Sequence, residues 1–540
     1  MPTPHAPRHV PRQLSRTCTA IVLGGLVAAL PPAALAHPAT APATAAASAP
    51  AAVPSAAPAA EEPPDPPPPP LDVLERQPGM GDGLLFVGPQ KNPGRVGPPG
   101  EEPPPEAGRG PQIVDDRGRP VWYHRIPKDE YVADFRVQEY RGEKVLTWWQ
   151  GESDTAGLGE GVGYIADENY EIIATVRSPD PGQTIDLHEF RLTPEGTALV
   201  VSYQQRPYDL TPVGGPEDGD VIESVVWELD IATGEPLLEW RSLDHVPLTE
   251  SDERPSGRAG TRPFDYLHAN SVSLDTDGDL LISAHGTSTV YKVDRRTGGI
   301  VWRLGGKKSD FRLGAGARTI AQHDVVAVGD GTYRMFDNQN MHSEGYESRV
   351  AWLRVDPRRG TAELTRQLVH PDRVSTAVTG GSQALPGGNT LVGWGSAGRV
   401  SEFDADGRLV FDAVFPEEYS SYRAYRQEWA GEPATAPEVR IDGASGDAHA
   451  VWNGATEVAG WRVLAGDAPD ELRPVARERW DGLDTDVDLP ADAGDAAYVQ
   501  AEALDADGDV IGASAVTGTG ADAGSGAAGG SGAAAGSGAG

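Results

Sequence analysis

The 540-residue sequence predicts an all-β fold: a six-bladed β-propeller followed by a small fibronectin type III-like β-sandwich. Short alternating strand segments, joined by glycine-containing turns, recur along the middle of the chain at intervals of about 55 residues. Four strands at this repeat length are typical of propeller blades, in which each sheet buries both faces against its neighbours. After Trp429 the segments become shorter and closer together, which indicates a second β domain.

The repeat is clearest between His268 and Gly305, where four short strands read HANSVSLD, DLLISAH, TVYKVD and IVWRLG. Two of the connecting turns contain Gly278 and Gly298, which tolerate the positive φ of tight β-turns. Six copies of the repeat can be recognised, and one long interval contains an insertion around 207–220. Because the first copy is only partial, we expect the segment Tyr422–Trp429 to help close the ring beside it.

Tryptophans recur inside the strand segments, and we expect them to pack in the cores of the blades. These tryptophans are Trp227, Trp240, Trp302, Trp352 and Trp394. The second β domain contains Trp452 and Trp461 with the phrase WNGATEV, which resembles a fibronectin type III module. We assign no catalytic role to that domain.

The N-terminus has the order of a secretory signal peptide. Three arginines precede an apolar run over 19–30, and Ala34-Leu35-Ala36 follows as a small-residue cleavage site. The run is too short for a transmembrane anchor, so we expect a secreted or extracellular protein. The predicted segments are a signal peptide (1–36), an Ala/Pro-rich disordered linker (37–75), the propeller (76–430), the sandwich (437–517) and a Gly/Ala/Ser disordered tail (518–540).

Composition excludes several classes of function. The formal net charge is −35, so the acidic body repels nucleic-acid backbones, and we expect no nucleic-acid partner. In so acidic a body, a small anionic substrate requires a local cationic pocket. The single cysteine, Cys18, lies in the predicted signal peptide, so thiol catalysis is excluded from the mature chain.

Three histidines stand at the same position of three consecutive repeats, at the start of the first strand. They are His188 in DLHEF, His268 in DYLHANS and His323 in AQHDV. The innermost strand of a blade lines the central channel. The shared offset therefore predicts that the three imidazoles meet at one mouth of the channel and form the catalytic site.

Other polar residues near these strand starts are candidates for supporting roles. Arg349 begins the third strand of the repeat that carries His323, and we expect its guanidinium to hold anionic oxygens. Asp186 lies two residues before His188 and is a candidate to orient it. Asp324 could also serve as a hydrogen-bond partner between blades. The predicted substrate-binding residues are Asn270, Asp324 and Gln383.

Clustered imidazoles with one guanidinium suit a substrate that carries a tetrahedral anion, because both groups donate hydrogen bonds to anionic oxygens. A neutral imidazole can also attack sulfur or phosphorus directly. Alternatively, the three histidines could bind a divalent metal. Asp275, Asp277 and Asp279 in DTDGD resemble part of a calcium loop, but no glutamate follows at the twelfth position and a hairpin turn accounts for them.

Several phrases, in this order over residues 75–430, resemble the bacterial arylsulfotransferase family: DLHEF, DYLHANSV with WRLGGKKSDF, QHDV with MFDN, SRVAWL, and LPGGNTLVGWG. The resemblance implies a periplasmic or secreted six-bladed propeller that moves a sulfuryl group from a phenolic sulfate ester to another phenol without a nucleotide donor. It gives sulfate-binding and acid/base roles to His268, His323 and Arg349. The implied partners are a phenolic sulfate donor and a phenolic acceptor, and no cofactor is expected.

In well-studied members of that family a histidine of a late blade becomes transiently sulfated, whereas this chain has Gly381-Ser382-Gln383 at that strand start. The nearest histidine, His370, lies in HPDRVST, which is typical of a connecting loop. One alternative is that another channel histidine is the nucleophile. A second is a non-catalytic propeller that binds a ligand at the cell surface, and metal-dependent hydrolysis is a third.

Overall fold

The computed structural model describes residues 67–91, 107–154, 157–255, 262–339, 346–442, 445–490, 493 and 496–519. The predicted signal peptide and most of the predicted linker and tail lie outside the described residues. The helices of the described part are α1 (Ser242–His245) and the 3₁₀ turns Thr211–Val213, Leu248–Glu250, Pro386–Gly388 and Gly395–Ala397. No helix among the described residues has the length and apolar character needed to cross a membrane. The described chain is all-β.

Twenty-seven strands up to residue 427 form the larger part of the fold. The first eight are β1 (Asp72–Arg76), β2 (Leu84–Lys91), β3 (Gln112–Val114), β4 (Pro120–Tyr123), β5 (Tyr131–Tyr140), β6 (Glu143–Ser153), β7 (Gly159–Ala166) and β8 (Ile172–Val176). The next ten are β9 (Phe190–Leu192), β10 (Thr197–Tyr208), β11 (Gly219–Asp230), β12 (Pro236–Arg241), β13 (Phe264–Asp265), β14 (Ala269–Leu274), β15 (Leu280–Ala284), β16 (Thr289–Val293), β17 (Ile300–Gly305) and β18 (Arg312–Leu313). The last nine are β19 (His323–Gly329), β20 (Thr332–Asp337), β21 (Arg349–Asp356), β22 (Thr361–Leu368), β23 (Gly381–Ala384), β24 (Thr390–Gly393), β25 (Arg399–Phe403), β26 (Leu409–Val414) and β27 (Tyr419–Gln427).

Within the described residues these strands form six sheets. Sheet 1 is β27-β2-β3-β4, sheet 2 is β5-β6-β7-β8, sheet 3 is β9-β10-β11-β12, sheet 4 is β14-β15-β16-β17, sheet 5 is β19-β20-β21-β22 and sheet 6 is β23-β24-β25-β26. Strand β1 adds antiparallel to β26, and β13 and β18 add in parallel to β11 and β22. Each sheet contacts the next through its first strands, and sheet 6 contacts sheet 1. Sheets that meet in this way form a β-propeller.

The last strand of the propeller segment pairs with a strand near its beginning. Strand β27 pairs with β2 along its length, from Leu84 opposite Gln427 to Lys91 opposite Tyr419. The segment Tyr422–Trp429 was predicted to pack beside the first repeat, and residues up to Gln427 do pair with β2. Strand β1 begins inside the segment 37–75 that was predicted to be a disordered linker. The ordered chain begins earlier than predicted because Leu71 is buried in the core of sheet 6 and Val73 packs against it.

The cores between and within the sheets are aromatic and aliphatic. The five tryptophans predicted to lie in blade cores, Trp227, Trp240, Trp302, Trp352 and Trp394, are all buried. That prediction is confirmed. These packed cores hold the first strand of each sheet in place. The side chains at the start of those strands therefore have fixed positions.

The C-terminal module has two sheets around one core that contains Trp461. Its strands are β28 (Glu438–Ile441), β29 (Ala448–Val451), β30 (Gly460–Gly466), β31 (Arg473–Arg479), β32 (Asp484–Val487), β33 (Tyr498–Leu504), β34 (Val510–Ala513) and β35 (Thr517–Gly518). One sheet is β28-β29-β32, and the other is β31-β30-β33-β34 with β35 beside β33. The side chain of Asn453 bonds both the N–H and the C=O of Tyr123, at 3.0 and 2.9 Å, so the module covers the outer edge of sheet 1. The likeness to fibronectin type III stays a prediction.

Candidate active site

A cavity of about 440 Å³ opens at the end of the propeller where the first strands begin. Its wall contains four histidines together with aromatic and aliphatic side chains: His188, His268, His285, His323, Tyr131, Leu187, Val378 and Tyr422. Charged side chains also line it: Lys91, Asp154, Glu253 and Asp265. The structure thus brings the three predicted histidines together and adds a fourth. A cavity with this wall has room for an aromatic ring beside groups that bind anions.

His188 is held by a buried carboxylate. Its Nδ1 lies 2.5 Å from Asp186 Oδ1, which also accepts the backbone N–H of His188 at 2.8 Å. The other oxygen of Asp186 accepts the N–H of Gly159. A carboxylate at Nδ1 fixes the proton there, so Nε2 is the reactive nitrogen of this ring. The predicted orienting role of Asp186 is confirmed.

His268 has a carboxylate partner of its own. Its Nδ1 lies 2.6 Å from Asp265 Oδ2. The backbone at His268 has a φ of 53°, a left-handed conformation that directs the ring from the strand start into the cavity. Burial works against the charged form, but the Asp265 carboxylate outweighs it and raises the pKa of His268 above its usual value.

The two carboxylate–histidine pairs meet in the cavity. Nε2 of His188 and Nε2 of His268 lie 3.2 Å apart, which is hydrogen-bond distance. Because each Nδ1 donates to its own carboxylate, two neutral rings would point lone pairs at each other. One further proton on either Nε2 turns this contact into an N–H···N hydrogen bond. The pair can therefore hold one proton between its two rings, at the wall of the cavity.

His323 is neutral and tightly bonded. Its Nδ1 donates to Asn338 Oδ1 at 2.7 Å and to the carbonyl of Ala321 at 3.1 Å. Its Nε2 accepts the backbone N–H of Thr379 at 3.3 Å. Burial, together with the neighbouring imidazoles, lowers the pKa of His323 well below its usual value. Neither nitrogen of this ring is available until the contact with Thr379 is broken.

His285 is a functional candidate that the sequence analysis missed. It directly follows β15, and its N–H donates to the carbonyl of His268 at 2.9 Å. Its ring centre lies 5.5 Å from that of His268 and 6.0 Å from that of His323. Burial and the charge of His268 lower the pKa of His285 to about 4. The sequence pattern that could have identified His285 is the register of the hairpin β14–β15. In an antiparallel hairpin, the residue after the second strand lies opposite the residue before the first, which here is His268.

Arg349 does not reach the cavity, which corrects its predicted role as an anion-binding residue. Its Nε bonds Asp337 at 2.9 Å, one terminal nitrogen bonds Gln367, and the other bonds the carbonyls of Gly316 and Arg318. The physical reason is its place on the third strand of its sheet. That strand lies two strand spacings, roughly 10 Å, from the innermost one.

We expect Arg349→Ala to lower stability rather than substrate affinity. The substitution leaves the buried carboxylate of Asp337 without its ion-pair partner, a loss of about 3–5 kcal/mol for a buried pair. Thermal unfolding measures the loss, and KM for an aryl sulfate at a permissive temperature tests the site. A rise in KM without a fall in melting temperature would show that the Arg349 guanidinium does bind the substrate.

Solved structures with similar folds are remote in sequence. A protein of unknown function from Bacteroides caccae is 12% identical, with 64% of this chain and 99% of that chain covered and a TM-score of 0.37. A catalytically inactive virginiamycin B lyase from Staphylococcus aureus with quinupristin is 9% identical, covering 71% and 97% with a TM-score of 0.32. The β-propeller domain of Myceliophteria thermophila Cps50 (Swd1) is 14% identical, covering 58% and 97% with a TM-score of 0.26. No curated protein matches the chain.

The arylsulfotransferase (ASST) family profile matches residues 136–416, which is more than half of the chain. The chain belongs to the arylsulfotransferase family. The matched region contains all four cavity histidines. Membership supports an arylsulfotransferase-like function and phenolic substrates.

The three predicted substrate-binding residues of this arylsulfotransferase-family chain lie outside the cavity wall. Asn270 is fully buried and donates to the carbonyl of Gln322, because a β-bulge between Ala269 and Ser271 breaks the expected alternation. Asp324 accepts the N–H of Ser382 at 2.7 Å and so joins sheets 5 and 6. This contact matches the role of hydrogen-bond partner between blades that the sequence analysis suggested for Asp324.

Gln383 also has a structural position. Its side chain accepts the N–H of Arg426 at 2.7 Å and donates to the carbonyl of Arg426 at 3.0 Å. It therefore joins sheet 6 to β27, away from the cavity. His370, on the loop before sheet 6, is buried against Trp394 and does not enter the cavity either.

A buried charged network beside the cavity was also missed. Arg423 on β27 lies 2.9 Å from Asp134 of sheet 2 and 3.2 Å from Glu189 at the start of sheet 3. Arg136 contacts the same two carboxylates at 2.9 and 3.1 Å. Arg423 also donates to the carbonyl of His188 at 3.3 Å. Arg191 lies 3.5 Å from Glu189 as well. These ion pairs fix the strand start that carries His188.

The acidic turn DTDGD is occupied by a lysine of its own sheet. Lys292 Nζ lies 2.6 Å from Asp275 and 3.6 Å from Asp279, and it also contacts Asp277. An ammonium among these carboxylates supplies the positive charge that a calcium ion would bring. This supports the interpretation of DTDGD as a hairpin turn.

The three predicted histidines are not arranged as a preformed metal site. Among the residues that the structure describes, three ligand atoms of His, Cys, Asp or Glu lie within 4.8 Å of one another only at His449, Asp484 and Asp486. That group lies on the C-terminal module, where Arg440 also bonds Asp484 at 3.0 Å. The cavity histidines are instead paired with carboxylates and with each other.

Proposed function

We propose that this chain is a secreted arylsulfotransferase that moves a sulfuryl group from a phenolic sulfate ester to a second phenol, without a nucleotide donor, through a histidine of the cavity. The observation that carries the proposal is the pair His188–His268, whose Nε2 atoms lie 3.2 Å apart in the cavity. Sulfuryl transfer needs an acid, because the phenolate that leaves must be protonated. The shared proton is available at the place where an anionic sulfate would be attracted.

The rest of the cavity suits an aryl substrate. Tyr131, Tyr422, Leu187 and Val378 provide aromatic and aliphatic surface for a phenol ring. Among the described residues no arginine lines the cavity, and its basic side chains are those of the four histidines and Lys91. With Asp186 and Asp265 behind it, the pair can gain and return its proton without being left as an isolated buried charge.

We also infer that the six sheets are the six blades of one closed ring. The contacts of sheet 6 with sheet 1 and the pairing of β27 with β2 support this count. Secretion is supported by the sequence of residues 1–36, which carries the features of a signal peptide.

Incubation with 4-nitrophenyl sulfate and a second phenol tests the function. Release of nitrophenol that depends on the acceptor, with the sulfated acceptor found by mass spectrometry, is the expected result. Release without acceptor would instead indicate hydrolysis. If neither occurs, and 4-nitrophenyl sulfate still binds by calorimetry, the chain is a ligand-binding propeller rather than an enzyme.

The transfer rate should depend on pH in a way set by the cavity histidines. Because Asp265 raises the pKa of His268, the shared proton persists above the usual histidine range and activity is lost as pH rises through that raised pKa. His285 and His323 have lowered pKa values, so their neutral forms persist in mild acid and the acidic limb is displaced toward pH 4. A profile of kcat/KM against pH checks both limbs. An acidic limb near the unperturbed histidine pKa of about 6.5 would contradict this expectation.

A further inference from the structure

The four cavity histidines differ in the ring nitrogens that they leave available. Nε2 of His188 and Nε2 of His268 contact each other, and Nε2 of His323 accepts the N–H of Thr379. The Nδ1 atoms of these three rings are bonded to Asp186, Asp265 and Asn338. Among the described residues, only the imidazole of His285 lines the cavity without a hydrogen bond to either ring nitrogen.

We propose that His285 is the nucleophile that accepts the sulfuryl group, an inference that rests on the function proposed above. A ring nitrogen of His285 attacks the sulfur of the donor, a nitrogen–sulfur bond forms, and the bond from sulfur to the phenolic oxygen breaks. The leaving phenolate takes the proton shared by His188 and His268. The acceptor phenol then attacks the same sulfur, the nitrogen–sulfur bond breaks, and the phenol proton returns to the pair. His285 ends as it began.

The position of His285 suits this exchange with the histidine pair. Its backbone N–H is bonded to the carbonyl of His268 at 2.9 Å, so the nucleophile and the acid stand on neighbouring strands of one hairpin. The ring centres of His285 and His268 lie 5.5 Å apart. An aryl sulfate bound in the cavity against both rings would therefore have the nucleophile and the proton donor within reach of the same ester group.

The environment of His285 also suits both half-reactions. Burial first, and the charge of His268 next, hold its pKa at about 4, so the ring is neutral at physiological pH and its lone pair is available. A weakly basic nitrogen is also a good leaving group. The sulfated ring would therefore pass the sulfuryl group on rather than retain it. This explains how the chain can work without a histidine at Gly381-Ser382-Gln383.

The test is to trap and locate the covalent intermediate. Wild-type protein is mixed with 4-nitrophenyl sulfate without acceptor, quenched in alkali, and digested. We expect a stoichiometric burst of nitrophenol and one added SO₃ on the peptide that contains His285, which disappears when a phenol is added. The mapping uses wild-type protein, so it does not depend on whether a variant folds.

Two asparagine variants complete the test. His285→Asn should abolish the burst and lower transfer by about 100-fold or more, while 4-nitrophenyl sulfate still binds. His449→Asn, a matched histidine variant on the C-terminal module, should keep the wild-type burst. SO₃ on His188, His268 or His323, or an undiminished burst in His285→Asn, overturns the assignment of His285 while sulfuryl transfer itself stands. Wild-type protein with neither burst nor transfer overturns the proposed function and this inference together.

Discussion

Replacement of His268 by asparagine is expected to lower kcat for sulfuryl transfer by about 100-fold or more. The substitution removes Nε2 and with it the proton that His188 and His268 share. Asparagine is the appropriate replacement because the backbone at position 268 has a φ of 53°, and asparagine tolerates this left-handed conformation better than alanine does. The loss therefore reports on the acid rather than on strain. Steady-state kinetics with 4-nitrophenyl sulfate and a fixed phenol measure it.

Asp265→Asn provides a graded comparison for the same acid. The imidazole pair stays in place, but the carboxylate that raises the pKa of His268 is gone. The basic limb of the kcat/KM profile should then move to lower pH, because the pair loses its proton earlier, while activity in mild acid is largely kept. An unchanged basic limb in Asp265→Asn, or wild-type kcat in His268→Asn, would show that the pair is not the acid.

The repeat in the sequence carried enough information to predict where the histidines meet. His188, His268 and His323 share one offset within successive repeats, and equivalent positions of neighbouring sheets lie at one end of the first strands. The same reasoning predicted that Tyr422–Trp429 would return to the first sheet, because a partial copy leaves a strand position to fill. Both predictions depend on backbone repetition alone.

The remaining site residues depend on features that a repeat offset does not contain. His285 required the hairpin register between β14 and β15. The predicted position of Asn270 was wrong because the same hairpin contains a bulge. A bulge moves a side chain to the other face of the strand. Arg349 was placed by its position along the strand without regard to its distance from the axis, and the third strand of a sheet does not reach the channel.

The charged network around Arg423 could not be found from sequence for a different reason. Its members come from β5, the loop before β9, and β27, so no local spacing connects them. Considered singly in the sequence, each member is a charged residue, and charged residues are exposed in most proteins. Here the pairing of β27 with β2 brings them together, and their burial makes their pairing essential.

Arg423→Met is expected to destabilise the propeller by about 3–5 kcal/mol, the cost of leaving a buried carboxylate without its partner. Methionine keeps much of the volume of arginine but removes one guanidinium from Asp134 and Glu189, so Asp134 keeps only Arg136 as an ion-pair partner. A fall in melting temperature and in urea midpoint measures the loss. Arg408→Met is the matched control, because the Arg408–Asp404 pair is exposed in a turn and should leave the melting temperature unchanged.

The pH dependence of this loss separates an electrostatic cause from a packing cause. In the wild type, burial acts to raise the pKa of Asp134, but Arg136 and Arg423 outweigh it and hold that pKa below its usual value. A depressed folded-state pKa contributes stability above the unfolded value of about 3.9, and this contribution is lost as pH falls below it. Without Arg423, the carboxylates of the network can be protonated at higher pH. The difference in stability between wild type and Arg423→Met should therefore shrink as pH falls from 7 toward 4, whereas a cavity or packing defect would give a difference that does not change with pH.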